Sequence, residues 1–79
     1  MSSVEVAQVE LGSTVTVLEK GWDQPETYKL VVPADADHRI GLVSTSSPFG
    51  QALLNKLSGE SIAVPAPLGD VHFTIINVS

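Results

Sequence analysis

Only one stretch of this 79-residue chain has the spacing of an amphipathic helix, and this limits the folds open to it. Its apolar residues recur about every four positions along one stripe: Phe49, Ala52, Leu53, Leu54 and Leu57. Ser47 is a typical N-cap, and Pro48 suits the first helical position, where a backbone N–H would have no partner. Gly59 is the glycine expected just past the end of a helix. The pattern predicts one short helix over about residues 48–57.

The other apolar residues alternate with polar ones in short runs, as half-buried strands do. Residues 14–19 are rich in β-branched side chains and place Val15 and Val17 on one face. The loop at 20–25 predicts a hairpin, and Pro33 closes the second strand because it lacks a ladder donor. The five predicted strands span residues 14–19, 27–32, 42–45, 61–64 and 71–78.

The two ends of the chain carry further strand signals. In the last strand, Val71, Phe73 and Ile75 share one face while Ile76 and Val78 share the other, which predicts a bulge near residues 75–76. Residues 1–9 could add a short edge strand. We therefore expect residues 1–79 to form a single α+β domain, with a four- to five-stranded, mostly antiparallel sheet packed on one helix.

Composition excludes several classes of function. The chain has no cysteine, so disulfides, thiolate zinc sites and cysteine nucleophiles are ruled out. Its net charge of −5, without any cluster of Lys or Arg, argues against direct binding to nucleic acid and favours a neutral or basic protein partner. No apolar run approaches the ~20 residues of a membrane span, and no signal peptide is recognisable. These features predict a soluble, cytoplasmic domain.

Few residues suggest catalytic or metal chemistry. Asp35, Asp37 and His38 could hold a divalent cation, but they lie in a polar loop, where Asp is common for turn hydrogen bonds. His72 is expected to face solvent from the last strand. Trp22 could be an exposed binding residue or a lid on the edge of the core, and the lid is favoured. Nucleotide-binding glycine motifs and a nucleophile elbow are missing, so a binding module is the better class.

Residues 44–54 read Ser-Thr-Ser-Ser-Pro-Phe-Gly-Gln-Ala-Leu-Leu, and this run is the most specific motif in the chain. It resembles the Ser-x-x-Ser-Pro-x-Gly/Ala-x-Ala-Leu signature in the C-terminal domain of the bacterial Gre transcript-elongation factors and the related Rnk proteins. The order and spacing of residues 11–17, 28–37 and 59–73 agree with the same family.

The resemblance implies an FKBP-like fold, in which a curved antiparallel sheet wraps a short helix. It also implies a domain that is not an enzyme, needs no cofactor or metal, and docks on RNA polymerase near the secondary channel. The docking partner would be the tip of a coiled coil in the β′ subunit, and the effect would be on transcription elongation. Carried over residue by residue, the signature assigns protein binding to Ser44, Ser46, Ser47, Pro48, Phe49, Gln51 and Ala52.

The sequence departs from the Gre pattern in two respects. Gre factors act through an N-terminal coiled coil whose acidic tip reaches the polymerase active site, whereas the resemblance here begins almost at Met1. Transcript cleavage by this chain alone is therefore not expected. Several Gre factors also carry Asp or Asn at the position of Ser46, and serine cannot make the charged contact that Asp would make.

Two other functions stay open at this point. FKBP-like domains include peptidyl-prolyl isomerases, whose pockets are lined by several aromatic residues. Here the four aromatic residues are scattered along the sequence, which disfavours this alternative: Trp22, Tyr28, Phe49 and Phe73. Self-association or binding of another protein could use exposed strand edges at residues 4–9 or 71–78, although a monomer is expected.

Overall fold

Five strands and one α-helix follow one another along residues 7–79, the part of the chain that the computed structural model describes. The strands are β1 (Thr14–Glu19), β2 (Glu26–Val31), β3 (Leu42–Ser44), β4 (Ser61–Val64) and β5 (Val71–Val78), and α1 (Pro48–Leu53) lies between β3 and β4. Two single-turn 3-10 helices, Pro33–Asp35 and His38–Ile40, connect β2 to β3. No helix in this part of the chain is both long enough and apolar enough to cross a membrane.

The strands form one mixed sheet in the order β3-β2-β1-β5-β4. The β1–β2, β1–β5 and β4–β5 pairs are antiparallel, and β2 and β3 are parallel. The predicted α+β class, the first hairpin and the helix inserted before the final hairpin are confirmed.

The predicted bulge in the last strand is also confirmed. Thr16 lies opposite Asn77 and Val17 opposite Ile75, so Ile76 is the extra residue on β5. Ile76 is half exposed, whereas Ile75 and Val78 are buried. The bulge therefore lets residues 75 and 78, three positions apart, face the same core.

The core lies between one face of the sheet and α1. Its buried side chains come from all five strands, from the helix and from the segment before β1: Val9, Val15, Val17, Leu30, Val43, Leu53, Ile62, Ile75 and Val78. Val15 and Val17 lie on the buried face of β1, as their alternation predicts. Burial of such aliphatic side chains contributes roughly 1.5–3 kcal/mol each.

The helix is shorter than its apolar spacing predicts. It ends at Leu53 instead of residue 57, and Asn55, two residues further on, takes the left-handed conformation (φ 68°). The N–H of Asn55 donates to the carbonyl of Val9 (2.8 Å), and the N–H of Val9 donates to the carbonyl of Lys56 (2.9 Å). These long-range hydrogen bonds replace the helical ones, so the last predicted turn pairs with the N-terminal segment.

The predicted free edges need a correction. Residues 71–78 are not an edge, because β5 lies between β1 and β4. The edge strands among residues 7–79 are β3 and β4. Of the predicted N-terminal strand, residues 1–6 lie outside the described residues, and Gln8 forms an isolated bridge with Leu57.

The start of α1 packs closely against the end of β3. Gly50 is buried, and a Cβ atom on it would overlap the carbonyl group of Ser44. This contact involves backbone atoms that cannot swing away, so only glycine fits.

We expect Gly50→Ala to lower the free energy of unfolding by about 2 kcal/mol or more, because the overlap outweighs the ~1 kcal/mol that alanine gains over glycine in a helix. Urea unfolding followed by circular dichroism measures the change. Gln51→Ala, at the next and exposed position, is the control and should change stability little; equal stability of both variants would contradict the packing argument.

Candidate protein-docking site

The loop that leads into α1 is held by hydrogen bonds between its own serines. The hydroxyl of Ser44 accepts from the backbone N–H of Ser46 (3.0 Å) and lies 2.8 Å from the hydroxyl of Ser46. The hydroxyl of Ser47 donates to the carbonyl of Ser44 (2.8 Å) and accepts from the N–H of Gly50 (3.0 Å). Ser47 is therefore the N-cap and Pro48 the first helical residue, as predicted.

The residues that the signature assigns to protein binding lie together around this helix start. Ser46, Pro48 and Gln51 are exposed. Ser44, Ser47, Phe49 and Ala52 are half-buried, and the last two pack against the core. We call residues 44–52 the Ser-Pro segment; it presents both hydrogen-bonding groups and apolar surface to solvent.

An apolar cleft of about 450 Å³ opens beside the Ser-Pro segment. Ser44, Ser47 and Phe49 form one side of the cleft. The other lining residues come from β2, β3 and the connection between them: Tyr28, Ala36, His38, Leu42 and Val43. Sequence analysis assigned none of these five residues to the docking surface, since the parallel pairing of β2 with β3 is what brings them next to the helix start.

Three aromatic residues that are far apart in the sequence pack together, and two of them, Tyr28 and Phe49, line the cleft. The rings of Tyr28 and Phe49 meet edge to face, with centroids 5.0 Å apart, and those of Phe49 and Phe73 lie 5.1 Å apart. Residues that are scattered along the sequence are thus neighbours in the fold. Trp22 is separate and 62% exposed, so its predicted role as a lid on the core edge is also wrong.

The Tyr28 hydroxyl is held at the rim of this aromatic cluster. It donates to a carboxylate oxygen of Glu26 (2.8 Å). Burial first, and then this hydrogen bond and the negative charges of Glu26 and Glu19, raise the pKa of Tyr28 to about 12. The phenol is therefore a firmly protonated donor at neutral pH.

The three candidate metal ligands, Asp35, Asp37 and His38, do not gather around a common point. Asp37 forms a two-pronged ion pair with Arg39, with distances of 3.0 and 2.9 Å, which holds the pKa of Asp37 below its ordinary value. His38 lines the cleft, and Asp35 lies in the preceding 3-10 helix. Within residues 7–79 no three His, Asp or Glu side chains come close enough to share a metal ion. His72 is exposed on β5, as predicted.

An apolar cleft with polar groups at its rim resembles the centre and border of protein interfaces. The fold is a small α+β domain with an apolar cleft beside the start of its helix.

The comparison with known proteins identifies the family. The sequence profile described as "Transcription elongation factor, GreA/GreB, C-term" matches residues 4–79, so the chain belongs to the GreA/GreB C-terminal domain family. The transcription elongation factor GreA of Streptococcus pneumoniae is 41% identical over 80 residues, covering 99% of this chain and 50% of that protein. The chain thus spans about half the length of the curated relatives it matches.

Solved structures agree with this assignment. A GreA/GreB elongation factor from Nitrosomonas europaea superposes with a TM-score of 0.78 at 30% identity, covering 96% of this chain and 63% of the other. The GreA factor homolog 1 of Thermus thermophilus superposes with a TM-score of 0.81 over 100% of this chain and 53% of the other. At 23% identity, the second likeness shows the fold alone.

We expect Ser47→Ala to lower the free energy of unfolding by about 1–2 kcal/mol, because the helix loses its N-cap and the Ser44 carbonyl loses a donor. Chemical denaturation measures the loss. Ser46→Ala is the matched control: it removes a hydroxyl from an exposed neighbour and should cost no more than about 0.5 kcal/mol. A larger loss in the control than in Ser47→Ala would refute the capping role.

Tyr28 is the only tyrosine, so its titration can be followed by phenolate absorbance. We expect an apparent pKa near 12, and a fall towards the ordinary value of about 10 in Glu26→Gln. The fall should be partial, since burial is the first cause of the shift. Because the folded state holds this proton more tightly than the unfolded state, its contribution to stability is present below about pH 10 and is lost as the pH rises towards 12. An unshifted pKa would contradict the burial and the bond to Glu26.

Proposed function

We propose that this chain is a non-enzymatic RNA polymerase-docking domain of the Gre type, formed by residues 1–79 as one unit. In this proposal it binds the tip of the β′ coiled coil near the secondary channel, as a monomer in the cytoplasm, and modulates transcription elongation. It needs no cofactor, makes no direct contact with nucleic acid and has no transcript-cleavage activity of its own. The observation that carries the proposal is the exposure of the family signature beside an apolar cleft.

The exposed side chains of the Ser-Pro segment are varied enough to recognise a partner. Pro48 offers apolar surface, while Ser46 and Gln51 can donate and accept hydrogen bonds. The cleft beside them can receive an apolar side chain, which is how interfaces concentrate binding energy in a few anchors. A coiled-coil tip, which presents a few side chains at a turn, suits a site of this size.

The loop is already held in one conformation before a partner arrives. Ser44 and Ser47 bond to each other and to the helix start, and Thr45 donates its N–H to the Val31 carbonyl (3.0 Å). Binding by a pre-ordered loop avoids much of the entropy cost of fixing side chains and backbone. The net charge of −5 favours a neutral or basic partner surface.

The isomerase alternative has less support. Tyr28, Phe49 and Phe73 do come together, but their rings pack against one another, and Phe73 does not line the cleft. The relatives that match the chain are transcription elongation factors. We therefore expect prolyl-peptide isomerisation at the uncatalysed rate.

Calorimetric titration with a recombinant β′ coiled-coil fragment tests the docking proposal. We expect saturable binding by the parent chain and roughly tenfold weaker binding by the double variant Pro48→Ala, Gln51→Ala, because both truncated side chains are exposed in the Ser-Pro segment. Both changes leave the aromatic cluster intact, and urea unfolding verifies that the variant is folded.

Asn77→Ala is the control for this titration, since Asn77 is exposed on β5 and outside the Ser-Pro segment. It should bind like the parent. If neither the coiled-coil fragment nor intact RNA polymerase binds the parent chain, while a GreA protein binds both, the proposal is refuted. Equal loss of binding in the control and in the double variant would refute the assigned surface.

A further inference from the structure

The connection between β2 and β3, residues 32–41, supplies part of the apolar cleft on the side opposite the Ser-Pro segment. Ala36 and His38 lie on this connection and Leu42 begins β3, and all three line the cleft. Asp37 lies between the first two in the sequence but does not line the cleft. Asp37 is therefore placed to hold this wall of the cleft without forming its surface.

The backbone of Asp37 closes the last turn of this connection. The N–H of Asp37 donates to the carbonyl of Leu42 (2.9 Å), and the N–H of Leu42 donates to the carbonyl of Asp37 (3.0 Å). The same carbonyl of Asp37 accepts from the N–H of Ile40 (3.1 Å). The two ends of the turn are thus bonded to each other, which sets the positions of His38 and Leu42 relative to one another.

The side chain of Asp37 holds the single 3-10 turn His38–Ile40 that lies inside this loop. Its Oδ1 accepts from the backbone N–H of Arg39 (3.1 Å), so Asp37 is the N-cap of the turn. The guanidinium group of Arg39 donates to both carboxylate oxygens, at 3.0 and 2.9 Å. Because a three-residue 3-10 turn has few hydrogen bonds of its own, the capping side chain supplies a large share of what keeps it formed.

We propose that Asp37 is a positioning residue of the docking site, whose cap on the 38–40 turn holds Ala36, His38 and Leu42 in the arrangement that a partner meets. This inference rests on the proposed function, since it concerns the same cleft. A partner that binds a loop already formed avoids the entropy cost of ordering it. The cap matters more than the negative charge, because the ion pair with Arg39 is exposed and exposed pairs contribute little.

Two substitutions of Asp37 separate the cap from the charge. Asp37→Ala removes both, whereas Asp37→Asn removes the charge and keeps a side chain that caps as well as aspartate does. In calorimetric titration with the β′ coiled-coil fragment, we expect Asp37→Ala to bind roughly fivefold more weakly and Asp37→Asn to bind within about twofold of the parent. Asp35→Ala is the matched control, because it removes the same charge from an exposed residue of the same connection that does not line the cleft. It should bind like the parent.

Amide hydrogen exchange tests the positioning role without any partner. The N–H groups of Ile40 and Leu42 both donate to the Asp37 carbonyl, so their exchange reports local opening of this loop. We expect exchange roughly fivefold faster in Asp37→Ala than in the parent, and close to the parent's rate in Asp37→Asn. The amide of Val17, in the core strand β1, should exchange alike in every variant, which verifies that the fold is intact.

The outcomes distinguish this inference from the function on which it rests. If the parent chain does not bind the fragment, the proposed function fails and the role of Asp37 in docking fails with it. If the parent binds and Asp37→Ala binds equally well, the proposed function stands and only the positioning role is overturned. Equal weakening in Asp37→Asn or in Asp35→Ala would assign the effect to charge and overturn the role of the cap. Unchanged exchange at Ile40 and Leu42 in Asp37→Ala would do the same.

Discussion

The carbonyl group of Ser44 is the point on which the helix start depends. It ends β3, accepts hydrogen bonds from both the N–H and the hydroxyl of Ser47, and lies where a side chain on residue 50 would have to go. One backbone group thus sets the turn, the cap and the distance of α1 from the sheet. In the family signature, Ser47 caps the helix, Pro48 occupies its first position, and Gly50 leaves room for the Ser44 carbonyl.

The same geometry gives the proposed docking surface its character. Because Ser47 and Gly50 are used in holding the turn, the exposed positions between and beside them, Ser46, Pro48 and Gln51, are free to contact a partner. The parallel pairing of β2 and β3 places Tyr28, Leu42 and Val43 around the cleft beside them. The residues that hold the turn and those proposed to contact a partner therefore belong to one short motif, and Ser46 is in both groups.

The sequence by itself determined the strands, the first hairpin, the bulge at Ile76 and the helix start, because alternation, turn residues and capping act over a few neighbouring positions. The residues of the signature are consecutive, so the sequence alone also predicted that they lie close together in the fold. Tertiary structure decided where α1 ends, because pairing of Val9 with residues 55–56 outweighed a helical spacing that continued to Leu57. It also decided which strands are edges, which residues complete the cleft, and that Trp22 faces solvent. Each of these outcomes depends on contacts between segments distant in the chain, whose energies no local pattern contains.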